Sequence, residues 1–368
     1  MLIRAERLAE LEAAGAEFRA MACGVTVEEW RTHTPITRVI SPEEYGIDTR
    51  AEPFAHTVMR AAAAAFGADD GKARRALIRL LRRWAKGRAM TVFDRASESN
   101  FYTVERTLLP VIVAWSLVRD HPDVAAEDAA LIAAWLNRLI VERVRPRQKL
   151  LVDPMLVNNH TYLSAAVDMA WGAMVGEPVA FRKGLEAYRL AIAQMRGDGS
   201  LPRETERGAR ALWYQRHAIA SLITIAEMAA VQGIDLYGYK VDGRDIHRAV
   251  AFLLAAVEDP TLVWPYAEAD VNPGPSRNWM VQDTGFMRRR GHGRHYMAWA
   301  EAYMRRFPDR PETQKLARLL RFWDPAPRPM VDDYSGGDTT CFYAKADGPL
   351  PWREQPADAS ELSGNNTR

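Results

Sequence analysis

Two cysteines, Cys23 and Cys341, are all the thiol that 368 residues carry. Neither stands in a metal or redox spacing, which sets aside zinc modules and CxxC oxidoreductases; the two could pair with each other. Long apolar runs are missing too, for none approaches the roughly 20 residues of a membrane span. The alternation of apolar and polar residues that marks strands is scarce. No self-similarity at roughly 34 or 40 residues is visible, which argues against regular TPR, HEAT or armadillo arrays. Charge of one sign is not in excess, with 49 Lys and Arg against 47 Asp and Glu. RNP, KH, zinc-finger and helix-turn-helix signatures are lacking, so nucleic acid is not expected as a partner. The opening MLIRAERLAELEAAGAEF reads as a charged amphipathic helix rather than a signal peptide.

What is present is helix after helix. Hydrophobic residues make up 48% of the chain and charged ones 26%, ample for a core. Apolar residues recur at helical spacing in 54–66, 73–86, 101–118, 125–144, 160–175, 179–195, 209–232, 245–257, 295–306 and 312–323. Turn formers punctuate them, as at Gly67–Gly71, His121–Asp123, Gly176–Pro178 and Gly197–Gly199. Residues 24–53 and 259–294 are long irregular stretches, a feature more often functional or disordered than incidental. From Pro325 the chain turns rich in Pro, Asp and Gly. The expectation is one folded domain over 1–325 and an irregular C-terminal tail over 326–368, with no composition break to justify a second domain. Antiparallel helix pairs of this kind stack as an open solenoid or close into a ring, and periodicity does not choose between them.

Basic residues cluster at Lys72–Arg88, at Arg143–Lys149 and at Arg288–Arg294. Clustered charge raises local anion concentration and fits a polyanionic ligand. The plainer reading of any one cluster is a solvated helix face.

Chemistry concentrates in two blocks. Asn158-Asn159-His160 is followed, 47 residues after the His, by Arg207-Gly-Ala-Arg210-Ala-Leu-Trp213-Tyr214. Amide and imidazole donors can hold a carboxylate, a guanidinium can neutralise it, and a phenol can move protons. Each residue alone has an ordinary explanation. Asn158 and Asn159 suit a helix N-cap, Arg207 and Arg210 could pair with Glu204 and Glu206 at the surface, and Trp213 and Tyr214 suit a core. The two blocks together, with the Asp198-Gly-Ser-Leu-Pro202 lead-in, favour a site.

The segments VNNHTYLSAAV and DGSLPRETERGARALWYQ resemble the Asn-Asn-His and Arg-Gly-x-Arg-x-Leu-x-Tyr blocks of the alginate lyase family of polysaccharide lyases, glucuronan-type lyases included. The resemblance is specific over roughly residues 150–235. It departs from the family pattern at Leu163, and at Trp213-Tyr214-Gln215 where His-Tyr-His is usual. It implies an all-α fold, an incomplete (α/α) toroid whose inner helices line a groove. It implies β-elimination on a mannuronate- or glucuronate-containing polyuronate without a cofactor. The catalytic residues it implies are Asn159, His160, Arg207 and Tyr214. Asn158, Tyr162, Arg210, Trp213 and Gln215 are expected to contact the sugar. A periplasmic or secreted monomer is expected, although no signal peptide is visible.

In such an elimination a base takes the C5 proton, the C6 carboxylate stabilises the carbanion, and an acid protonates the leaving oxygen on C4. Preorganised donors stabilise the developing charge, a task for Asn159, His160 and Arg207. If 207–214 is helical, Arg207 and Arg210 lie on the Tyr214 face, two turns and one turn away; cations there stabilise a phenolate. Tyr214 then serves as base and acid when the C5 proton and leaving oxygen share a face of the ring; otherwise His160 is the base and Tyr214 the acid. Trp264, Tyr266 and Trp279 could stack on sugar rings or be buried. His292 and His295 lack metal spacing, so no metal is expected. Two alternatives remain. A glycoside hydrolase on the same fold would need a carboxylate pair, with Glu98, Glu105, Glu268, Asp270 and Asp283 as candidates. An inactive polysaccharide-binding protein would explain the altered flanks.

Overall fold

In the computed structural model, residues 2–25, 33–41, 49–94, 97–143, 157–271, 276–289 and 294–352 are described. Arg145, Arg147, Lys149, Arg290 and His292 of the basic and histidine clusters lie outside them, as does the side chain of Glu98.

The helices run α1 Glu6–Ala13, α2 Ala16–Cys23, α3 Ala51–Gly67, α4 Gly71–Lys86, α5 Glu98–Val118, α6 Ala126–Glu142, α7 Asn159–Val175 and α8 Pro178–Gln194. They continue as α9 Pro202–Thr205, α10 Ala211–Val231, α11 Ile246–Glu258, α12 Trp264–Ala267, α13 Trp299–Arg306, α14 Pro311–Trp323 and α15 Thr339–Tyr343. Two-residue strands, β1 Val331–Asp332 and β2 Gly337–Asp338, pair antiparallel.

Two layers follow from the burial pattern. Helices α3, α5, α7, α10 and α13 pack side by side in that order, while α4, α6, α8, α11 and α14 lie against them as an outer layer. The inner helices are buried nearly all round, as expected of helices enclosed by others; α7 and α10 bury almost every residue. Outer helices are two-faced. In α4 Leu77, Ile78, Leu81 and Trp84 point inward while Arg75, Arg79, Arg82, Arg83 and Lys86 face water. This is the incomplete (α/α) toroid that the family resemblance implied.

Three readings change. One helix is, after all, long and apolar enough to cross a membrane by length and composition; yet 94% of its Ser99–Val118 window is buried among other helices, so it is a core element. The basic clusters divide: Arg74 pairs with Asp69 and Asp123, Arg82 with Asp128, and buried Arg143 with Glu105 and Asp168, while Arg79, Arg83 and Lys86 face water as a solvated helix face would. The third concerns the expected irregular tail, which residues 326–352 do not form. Hairpin β1–β2 and α15 fill the gap between the first and last inner helices, touching α3 on one side and α13 on the other. Met330, Val331, Tyr334, Cys341 and Phe342 are buried there. Ion pairs fasten this segment: Arg106–Asp333 at 2.7 Å, Arg294–Asp333 at 2.6 Å, Arg328–Glu301 at 2.7 Å and Arg60–Asp338. A Cys23–Cys341 disulfide closes a span of 318 residues between the N-terminal helices and this plug.

Candidate active site

Helices α7 and α10 are packed neighbours, and Asn159 at the start of α7 bonds to Glu204 just before the second block. Asn158 is the N-cap of α7, its Oδ1 accepting from the backbone N–H of His160 at 3.1 Å and Thr161 at 3.4 Å. That satisfies donors a helix start leaves open; for Asn158 the ordinary reading holds. Asn159 is completely buried. Its backbone N–H and its Nδ2 donate to the two carboxylate oxygens of Glu204, at 2.5 and 2.8 Å, so the amide is oriented by a two-point contact.

Glu204, in sequence a possible surface partner of an Arg, is a buried anchor in the structure. Burial pushes its carboxyl up to about 7, against the pull of Asn159 and Arg207. Its only sequence signal was a place between Leu201 and Thr205 on a short turn, which does not distinguish it from a solvated acid. Glu206, the other acid considered, pairs with Arg196.

The segment 207–214 is not one helix. Gly208 sits at φ +55°, and a Cβ there would come within 1.9 Å of Asp270 Oδ1, so the chain makes a tight turn that only glycine accommodates. Helix α10 starts at Ala211. The turn nonetheless folds Arg207 over Tyr214, with the guanidinium carbon 3.9 Å from the ring centroid. Arg210 goes elsewhere, to Asp283 at 3.8 Å and to the Trp213 face at 5.2 Å. Along 211–229 every residue is buried except Tyr214. Through Ala229 this helix is sealed in protein except at one phenol, which reaches solvent beneath a guanidinium.

His160 lies with its ring 4.6 Å from that of Tyr102, half buried. Tyr102 is one of several residues that sequence reasoning missed. Its ring also lies 6.1 Å from Tyr334, and Arg106 sits over both. His217, one turn after Tyr214, packs 5.7 Å from it. The Trp213 indole N–H donates to His217 Nε2 at 3.1 Å, which places the imidazole proton on Nδ1, 3.4 Å from the Tyr334 hydroxyl. Burial, with Arg216 and Arg106 nearby, drives the His217 imidazolium well below its ordinary range, so the ring is neutral. Arg216 is fully buried beside Trp213, Tyr296 and Tyr334. Next to it the Asp332 carboxyl is raised by burial and by Asp333, while Arg106 and Arg294 hold Asp333 low.

Tyr162 and Gln215, assigned to the sugar from sequence, are taken up by the fold. Tyr162 is buried and accepts from Gln194. Gln215 accepts from the Leu201 N–H at 2.9 Å and donates to the Gly199 carbonyl at 3.0 Å, pinning the loop before Glu204. The late loop forms a wall against the Arg207–Arg210 turn, with Gln282 Nε2 donating to the Gly208 carbonyl and the Asp283 N–H to the Ala209 carbonyl. In it Trp264 packs edge-on against Trp279, and the Tyr266 hydroxyl donates to Asp198 at 2.7 Å. Trp264 and Tyr266 are half exposed. No cluster of His, Cys, Asp and Glu among the described residues is arranged to hold a metal ion.

A family model described as alginate lyase matches residues 34–263. An alginate lyase of Pseudomonas syringae pv. syringae (strain B728a) is 32% identical over 136 residues, covering 37% of this chain and 35% of that protein. A polysaccharide lyase of Stenotrophomonas maltophilia (strain K279a) is 27% identical over 188 residues, 50% of this chain and 54% of that one. The matches thus span about a third to half the length of these relatives. Among solved structures, alginate lyase A1-III from Sphingomonas species A1 superposes with a TM-score of 0.68 at 25% identity, over 93% of this chain and 97% of that one. A variant of A1-III complexed with tetrasaccharide gives 0.74 at 26% identity, over 93% and 94%. With the family model spanning more than half its length, this chain belongs to the alginate lyase family.

Proposed function

We propose that this protein is a polysaccharide lyase that cleaves an acidic polyuronate by β-elimination, with Asn159, His160, Arg207 and Tyr214 at the reacting sugar. The observation that carries the reading is Tyr214, the one residue of 211–229 that is not buried, with Arg207 3.9 Å above its ring. Negative charge that gathers on the phenol oxygen as it gives up a proton forms next to a fixed positive charge. Asn159, held by Glu204, and His160 supply donors toward the C6 carboxylate, the role preorganised donors play where charge develops. The base removes the proton from C5, and that electron pair becomes the C4–C5 double bond. The C4–O bond breaks, and the leaving oxygen takes a proton from the acid.

The choice of base depends on sugar stereochemistry. For a sugar whose C5 proton and leaving oxygen share a face, Tyr214 performs both transfers; for the opposite arrangement His160 is the base and Tyr214 the acid. Trp264 and Tyr266 stand on the wall that would flank the chain of sugars, with Arg210 at its foot, while Trp213, buried and bonded to His217, supports that wall from within. The Cys23–Cys341 disulfide suits an oxidising compartment, which favours a periplasmic or secreted protein.

The hydrolase alternative loses one of its candidate carboxylates, since Glu105 is completely buried against Arg143. The discriminating experiment mixes the protein with polymannuronate, polyguluronate, glucuronan, hyaluronan and neutral glucans. Elimination creates a double bond conjugated to the carboxylate, so ultraviolet absorbance rises with at least one polyuronate and with no neutral polymer. Cleavage without new absorbance would overturn the proposal.

A further inference from the structure

A second cavity lies at the far end of α10 from Tyr214. It has a volume of about 360 Å³ and is walled by α1, the end of α10, α13 and the residues around α15. Glu227 marks its floor, 13 residues after Tyr214 on the same helix. At 1.5 Å per residue the two are separated by roughly 20 Å, so the cavity is no part of the site described above.

Its charge is lopsided. Arg4, Arg7, Arg305, Arg306 and Lys345 line it against Glu10 and Glu227. Arg306 is consumed by Glu227 in a two-point contact at 2.8 and 2.9 Å, and Arg305 pairs with Glu10. Glu10 lies 3.4 Å from Arg7 as well, so one carboxylate serves two guanidiniums. Three positive charges therefore have no acid of their own in this wall. Arg7 is 3% exposed, gives its Nε to the Cys341 carbonyl at 2.8 Å, and has an Nη2 with no hydrogen-bond partner among the described residues. A buried guanidinium N–H left unmatched is costly. Burial, and next the repulsion of Arg305, push the Arg7 guanidinium down to about 10, as surplus positive charge would. Lys345 is exposed and Arg4 half exposed at the rim, where long side chains can close over a ligand.

We propose that this cavity is a second binding site, for a compact ligand bearing two or more oxyanion charges, carboxylate or phosphate. The oxygens would neutralise Arg4, Arg7 and Lys345 together, and guanidinium forks suit either group. The proposal stands independently of the reaction at Tyr214. The two sources of such charge are a short uronide and a phosphate-bearing ligand.

The test is calorimetric titration of the full chain with inorganic phosphate and, separately, with a saturated glucuronate disaccharide. Two variants accompany the parent: Arg4→Gln/Lys345→Gln, altered only at the rim, and Arg7→Lys, which keeps the buried charge but loses the fork. At least one probe should bind saturably to the parent, and the double variant should weaken that binding at least tenfold. Its melting temperature and its rate on polymer should stay at parental values. The probe that binds more tightly identifies the source. Failure of both probes to bind saturably, or equal affinity in parent and both variants, would overturn the proposal.

Discussion

Replacing Glu204 by glutamine separates what the buried carboxyl does for stability from what it does for Asn159. Burial raises this acid from its ordinary 4.5 to about 7. The folded state thus prefers the protonated form, and that contribution is complete below pH 4.5 and lost as pH rises through about 7. The gap corresponds to about 3 kcal/mol. Glutamine does not ionise, so Glu204→Gln should lack this loss. Urea denaturation at acid and alkaline pH should show the parent falling by up to about 3 kcal/mol relative to the variant. Activity should move the other way. The ionised carboxylate accepts both Asn159 N–H groups, whereas a glutamine turns an NH₂ toward one of them. Parental kcat/KM should rise through about pH 7, and the variant should lose that limb along with roughly tenfold in rate at alkaline pH, an effect of about 1.4 kcal/mol. Parallel stability curves together with an unchanged pH–rate limb would refute the reasoning.

Two further outcomes follow from the same geometry. Tyr214→Phe removes only the hydroxyl from a ring that keeps its Arg207 contact, so turnover should be lost while polymer affinity in a pull-down stays near parental; activity within a few-fold of the parent would remove Tyr214 from the mechanism. Reduction, or Cys341→Ser, should cost roughly 3–5 kcal/mol in denaturant unfolding because the disulfide closes so long a loop; equal midpoints with and without reductant would show that the plug holds by its ion pairs alone.

The helices were legible because a 3.6-residue apolar period survives in a single sequence; the blocks at 158–160 and 207–214 fall on packed neighbours, α7 and α10, linked through Asn159 and Glu204. The helical link proposed between Arg207 and Tyr214 was not correct, since Gly208 at positive φ breaks it; the contact survives through a turn that spacing rules do not describe. Tyr162 and Gln215 were misassigned because their polar atoms serve Gln194 and the 199–201 loop, partners invisible without the fold. Glu204 was missed for the complementary reason: a Glu in a polar stretch looks solvated until a neighbouring helix covers it. The plug at 330–343 resembles an irregular tail in sequence because of its Gly and Asp content. Its acids are instead the buried counter-charges of Arg60, Arg106 and Arg294, each distant in sequence or masked by irregular chain.

The central claim is that the glycosidic bond is broken by elimination, and product mass tests it most directly. Polyuronate digested in oxygen-labelled water should give a fragment at the new non-reducing end that is lighter by one water than a hydrolysis product, with no label at the new reducing end. Uptake of one labelled oxygen per cleavage at a reducing end, with fragments of full hydrolytic mass, would contradict the account.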